Sequence, residues 1–173
     1  SEMCIRDRGI YATELTDNGL EIKKKTDGTP VLKKRICGNR FEGTNIYKRG
    51  EYYYLFASIG TCCNGATSTY QTVVGRSKNV LGPYLDKTGR DMLYDYCEII
   101  MSGNETWAGP GHNSILIQDD VGTDWIIYHG YKKKEAENGR YVLMDKLIWS
   151  NDGWPSVKSN APSILEVAPY FQK

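Results

Sequence analysis

Apolar and aromatic positions in this 173-residue chain fall into short runs with a two-residue period, separated by Gly, Pro, Asn and Asp. That is the pattern of strands joined by tight turns. One stretch organises the rest. Residues 45–47 form a short apolar strand, Lys48, Arg49 and Gly50 turn, and residues 51–58 run on through Tyr52, Tyr53, Tyr54, Leu55 and Phe56. Residues 70–76 alternate again and residues 79–83 break the run. Three such strands in succession predict an antiparallel meander, with Glu42 just ahead of its first strand, at a sheet end.

The plan recurs downstream: a short apolar strand over residues 113–118, a turn at 119–123, an aromatic-rich strand over 124–131, then 141–149 and a breaker at 151–155. Superposing the copies sets His112 on Glu42, 70 residues apart, and Tyr141 on Tyr70, 71 apart. Residues 10–15, followed by Asp17, Asn18 and Gly19, fit the end of a third copy. A four-strand unit repeating at a fixed period is the signature of β-propeller blades. The period exceeds the roughly 40–50 residues usual for such repeats, and long loops take up the excess. The predicted fold class is all-β, a partial β-propeller of about two complete blades plus part of a third. An unrelated all-β sandwich with coincidental spacing is the alternative. Residues 20–25 are expected as an edge strand, 96–102 as an outer strand, 104–112 as a Gly/Pro-rich entry to the last blade, and 164–167 as a short strand in the tail.

Composition narrows the classes of partner. Eighteen Gly and thirteen Tyr favour strands and turns over helices. No apolar run approaches the roughly 18 residues of a membrane span. The net charge of +1 provides no global field toward nucleic acid or an anionic membrane. The lysine runs at 23–25 and 132–134 read as solvated strand faces and hairpin tips, because no nucleic-acid motif accompanies them. The five cysteines include no CxxC spacing and indicate no zinc site. Adjacent Cys62 and Cys63 are expected as two reduced thiols packed beneath a loop. Residues 1–8, SEMCIRDR, match nothing that follows and contain no signal-peptide core. They are expected to be a non-native leader, with residues 9–173 forming the C-terminal part of one propeller domain entered in the middle of a blade.

Four stretches then carry a resemblance: FEGTNIYKRGEYYYLF from Phe41, CCNGATSTYQTVVGRSKNVLGPY from Cys62, WAGPGHNSIL from Trp107 and GRYVLMDKLIWSNDGWP from Gly139. Together they resemble the C-terminal half of glycoside hydrolase family 43, and within it the endo-1,5-α-L-arabinanases. The resemblance implies a five-bladed propeller and an inverting hydrolase of α-1,5-L-arabinan or arabino-oligosaccharides. The alternatives are an exo-acting α-L-arabinofuranosidase or β-xylosidase of the same family, and a non-catalytic glycan-binding propeller. It also implies a parent that is bacterial, monomeric and secreted or periplasmic.

The same resemblance distributes roles. Glu42 matches the general acid. The general base and a second, acid-tuning Asp belong to family segments that this sequence does not match; Asp17, Asp27, Asp86 and Asp91 sit in turn sequences instead. His112 matches an axial histidine that in arabinanases holds a calcium largely surrounded by water. Arg140 matches an arginine that reaches the active-site carboxylates, with an ordinary hairpin-tip arginine as the other reading. Trp107 is the aromatic best placed to stack on arabinose. His129, inside a strand, is read as packing, and no organic cofactor is implied.

Overall fold

The computed structural model describes residues 9–172. The expected leader at residues 1–8 lies outside them. Two four-stranded antiparallel sheets carry most of the fold. The first runs in the order β3 (Glu42–Arg49), β4 (Tyr52–Ile59), β5 (Gln71–Ser77), β6 (Glu98–Met101), the meander expected from the sequence. The second contains β7 (Trp107–Gly111), β8 (Ile117–Gln118), β9 (Asp124–Lys132) and β10 (Arg140–Lys146), with β7 and β8 both pairing one side of β9. Two small pairs flank these sheets, β1 (Ile10–Ala12) with β2 (Lys34–Cys37), and β11 (Ile148–Trp149) with β12 (Pro155–Ser156).

The first sheet is covered on both faces, and its sequence follows from that. Along β4, Leu55, Ala57 and Ile59 point into one cluster with Ile36, Phe41, Val73, Tyr84 and Met92, beneath β1 and β2. Tyr54 and Phe56 point the other way, into a cluster with Val74, Met101, Ile126, Tyr128 and Trp154 that joins the first sheet to the second. A strand buried on both faces reads as a continuous apolar run instead of a clean alternation, and the six residues from Tyr54 to Ile59 are all buried.

The two sheets meet edge to edge as well as face to face. The Asn45 side chain on β3 donates to the carbonyls of Asn113 and Ser114, at 3.2 Å each. At the far end of the strands, buried Asp124 gathers Tyr47 Oη at 2.8 Å, Gln118 Nε2 at 3.0 Å and Trp149 Nε1 at 2.7 Å. Its one hydrogen-bond partner from β3, Tyr47, ties the first sheet to the second.

Several expected boundaries move. The entry segment at 104–112 is not a loop throughout, because β7 occupies Trp107–Gly111. The strand expected over 113–118 shrinks to Ile117–Gln118, since His112 at φ 52 turns the chain off the extended path. The spacing of the copies, by contrast, is kept: Thr72 faces Ser58 and Leu143 faces Tyr128, 71 and 70 residues further on. Residues 20–25 make only isolated bridges, Leu15 to Ile22 and Lys24 to Pro30, on a segment with no buried side to organise a ladder. Residues 164–167 form no strand. The tail there is held by carboxylates instead, Asp145 accepting from Ser163 N and Asp119 from Tyr170 N.

Two outcomes follow for stability. Asp124→Ala leaves three donors without their acceptor, each unsatisfied group costing about 1–3 kcal/mol, so urea unfolding should show a loss of several kcal/mol. The Asp119 carboxyl is buried, which alone would raise its pKa, but hydrogen bonds from Trp125 Nε1, Thr123 N, Tyr170 N and Val121 N outweigh that and lower it. A depressed carboxyl contributes stability above its unfolded value, about 3.9, and loses it as pH falls through the folded value. Urea midpoints measured from pH 5 to pH 2 should therefore fall less steeply for Asp119→Asn than for the unaltered chain.

Candidate active site

The seam between β3 and β7 brings together two of the four residues singled out from the sequence, Glu42 and His112, and a third, Arg140, is joined to it through His129. Glu42 is the first residue of β3, and its cross-strand partner is Ser58 on β4. Ser58 is fully buried, and its Oγ accepts the backbone N–H of His112 at 2.7 Å. Gly43 completes the junction. It has φ 58, and a Cβ built on it would lie 3.0 Å from the His112 ring, so only glycine lets β3 approach so closely. Glu42 and His112 therefore belong to one local structure. His112 does not lead into the strand expected over residues 113–118. It follows β7, at the residue where that strand ends.

Behind His112 lies a column of rings. His112 stacks on His129 with centroids 6.2 Å apart and planes 28° from parallel, and His129 stacks on Tyr70 at 5.8 Å and 16°. Gly111 makes room for this column, because a Cβ there would fall 2.3 Å from Tyr70 Cδ1. Arg140 opens β10 opposite Tyr131, and its Nη1 reaches diagonally to His129 Nε2 at 3.3 Å. Diagonal neighbours of this kind are within reach of long side chains.

His129 is the residue that sequence reasoning undervalued. The reading as packing is right about its ring stack and omits its contact with Arg140. Its Nδ1 is buried with no hydrogen-bond partner. Burial first, then the Arg140 and His112 charges, push its pKa down to about 4. At neutral pH it is an uncharged imidazole that can accept from a guanidinium and costs no like-charge repulsion. The signal in the sequence was parity. His129 shares a strand face with Trp125 and Tyr131, opposite the core-facing Ile126 and Tyr128.

Trp107 stands at the other end of β7, five residues before His112. Its ring is half-buried, edge-on to Tyr141 with centroids 5.9 Å apart, and its indole N–H is buried without a partner. Much of its surface is thus already used against β10.

The donor set for calcium is thin. Among the described residues no group of three His, Cys, Asp or Glu side chains converges. Calcium prefers six to eight oxygens, and His112 offers one imidazole beside a second imidazole. The described residues by themselves do not fit such a site, and no chemical step is routed through the ion.

The loop above this junction corrects another expectation. Cys62 and Cys63 are not reduced thiols: their sulfurs are bonded to each other, across adjacent Cα atoms 3.8 Å apart. The pair sits on the surface of the loop, Cys63 exposed and Cys62 half-buried, and not beneath it. Cys37 and Cys97 are free.

The sequence profile described as glycosyl hydrolases family 43 matches residues 3–155. An extracellular exo-α-(1→5)-L-arabinofuranosidase from Cellvibrio japonicus is 45% identical over 118 residues, 68% of this chain and 33% of the relative. An extracellular endo-α-(1→5)-L-arabinanase from Bacillus subtilis is 41% identical over 120 residues, 69% of this chain and 35% of the relative. Among solved structures, the Cellvibrio cellulosa α-L-arabinanase complexed with arabinohexaose superposes with a TM-score of 0.70 at 34% identity, covering 86% of this chain and 56% of that one. The chain spans about a third of the length of these curated relatives. With most of its length inside the family profile and its strands superposing on a solved family fold, this chain belongs to glycosyl hydrolases family 43.

Proposed function

We propose that the chain is the portion of an inverting α-1,5-L-arabinan hydrolase that supplies the general acid, Glu42, on a partial five-bladed propeller. The observation that supports this is the junction of Glu42 and His112 over buried Ser58, with Arg140 joined to it through His129, which stacks on His112. The face-to-face burial of one sheet against the next supports the propeller reading. The parent is read as secreted and monomeric, in keeping with relatives described as extracellular.

In an inverting site a protonated carboxyl donates to the leaving oxygen while an ionised carboxylate about 6.5–9.5 Å away activates water. Glu42 takes the first role. Arg140, a permanent cation, holds a carboxylate ionised and oriented through paired N–H donors. His129 in turn restrains Arg140 through Nε2, and His112 shapes the floor beside Glu42. No residue of this chain matches the water-activating Asp. Exo action is the second reading, favoured by the relative named as an exo-arabinofuranosidase. A product series from linear arabinan separates the two, since an exo enzyme releases one short product from the start and an endo enzyme a ladder.

The 173-residue chain should not hydrolyse linear arabinan, and reducing-sugar release should equal that of its Glu42→Ala variant; turnover above this control would overturn the assignment of roles. In the full-length parent, Glu42→Ala should lower kcat on arabinan by about 10²–10⁴-fold, the usual worth of general acid catalysis. An aryl arabinoside with a good leaving group needs little protonation and should lose far less. Equal losses on the two substrates would remove Glu42 from the acid role.

A further inference from the structure

The Cys62–Cys63 disulfide has no evident structural task. Cross-linking stabilises by restricting the unfolded chain, and the effect grows with the length of loop closed. A bond between adjacent residues closes almost none. The loop is already closed at its neck without it: Thr69 N donates to Thr61 O at 3.1 Å, Thr61 N to Thr69 Oγ1 at 3.1 Å, and the two hydroxyls meet at 2.9 Å. Inside the neck, Asn64 N donates to Ser68 Oγ at 3.0 Å and Thr67 Oγ1 to Asn64 O at 2.8 Å.

What the bond does supply is a small rigid apolar surface that cannot donate a hydrogen bond, on a pair of which Cys63 is exposed and Cys62 half-buried. The loop joins β4 to β5 at the sheet end where Glu42 lies. It rests on β7, with Ser68 against Gly109, and on the 3-10 turn Lys133–Asn138, with Gly65 3.7 Å from Ala136 Cβ when given a Cβ of its own. Its position is thus set by the same strands that hold the acid. Exposed Thr61 and Asn64, the disulfide's neighbours in sequence, and Thr69, hydrogen-bonded to Thr61, add hydroxyl and amide groups beside it. An apolar patch beside polar groups matches a furanose ring, which presents C–H groups on one face and hydroxyls at its edge.

We propose that the Cys62–Cys63 disulfide is a binding platform for an arabinofuranosyl unit of the glycan, lying to one side of the cleavage point. The proposal rests on the arabinan reading above and deepens it. The probe is α-1,5-arabinohexaose added to the 173-residue chain, with amide shifts followed by ¹⁵N NMR and affinity measured by calorimetry. The expected result is that amides 61–64 shift together with those around Glu42 and His112, and that Cys62→Ser/Cys63→Ser weakens binding about tenfold, one decade in Kd. Binding with shifts near Glu42 and His112 but none at 61–64, and an unchanged Kd in the double variant, would overturn the platform and leave the arabinan reading intact. No binding to the unaltered chain would overturn the arabinan reading and the platform with it. Should the double variant fail to fold, the shift map of the unaltered chain decides alone.

Discussion

The hydrogen bond from the His112 backbone to Ser58 Oγ is the constraint on which the site depends. Ser58 is fully buried, where a polar group left unpaired is costly, whereas His112 itself is exposed. Ser58 faces Glu42 across the β3–β4 ladder, so the bond sets where His112 sits relative to the acid. Gly43 enforces the same relation sterically, by leaving no side chain between β3 and the imidazole. The ring column of His112, His129 and Tyr70 then extends from a point that backbone geometry has already placed.

The two ends of the strands are built for different purposes. At one end Asp124 accepts from Tyr47, Gln118 and Trp149, while Asp119 collects Trp125 and several backbone N–H groups. These carboxylates are buried and saturated with donors, which makes that end rigid. The opposite end carries Glu42, Arg140, the disulfide loop and the 3-10 turn Lys133–Asn138, with polar groups directed outward. Function placed on loops above a rigid scaffold is the usual division of labour, and here the candidate residues Glu42 and Arg140 sit at the scaffold's own strand termini.

The family resemblance and the structure contribute different parts of the functional reading. Residue types at matching motif positions name Glu42, His112 and Arg140 as candidates. Only the fold joins them, Glu42 to His112 across Ser58 and Arg140 to His112 through His129, since His112 and Arg140 lie 70 and 98 residues from Glu42 along the chain. His129 shows the limit of motif reading. A histidine in the middle of a strand is ordinary, and its contact with Arg140 appears only when β9 and β10 are in register.

The sequence by itself determined the strand content, the meander of β3 to β5, and the turns about Gly50 and at residues 119–123. These follow from a two-residue period and from Gly, Asn and Asp, all local properties of the chain. Tertiary structure alone decided that β7 begins at Trp107, because Gly-Pro-Gly looks like a loop until β9 offers a partner. It decided that residues 164–167 are held by carboxylates and not by a ladder, since Asp119 and Asp145 are distant in sequence. It also decided that Cys62 and Cys63 are joined on an exposed surface, for only the closed loop shows which way the two sulfurs face. Each is a contact between distant segments or a local geometry imposed by one, and neither leaves a periodic trace in the sequence.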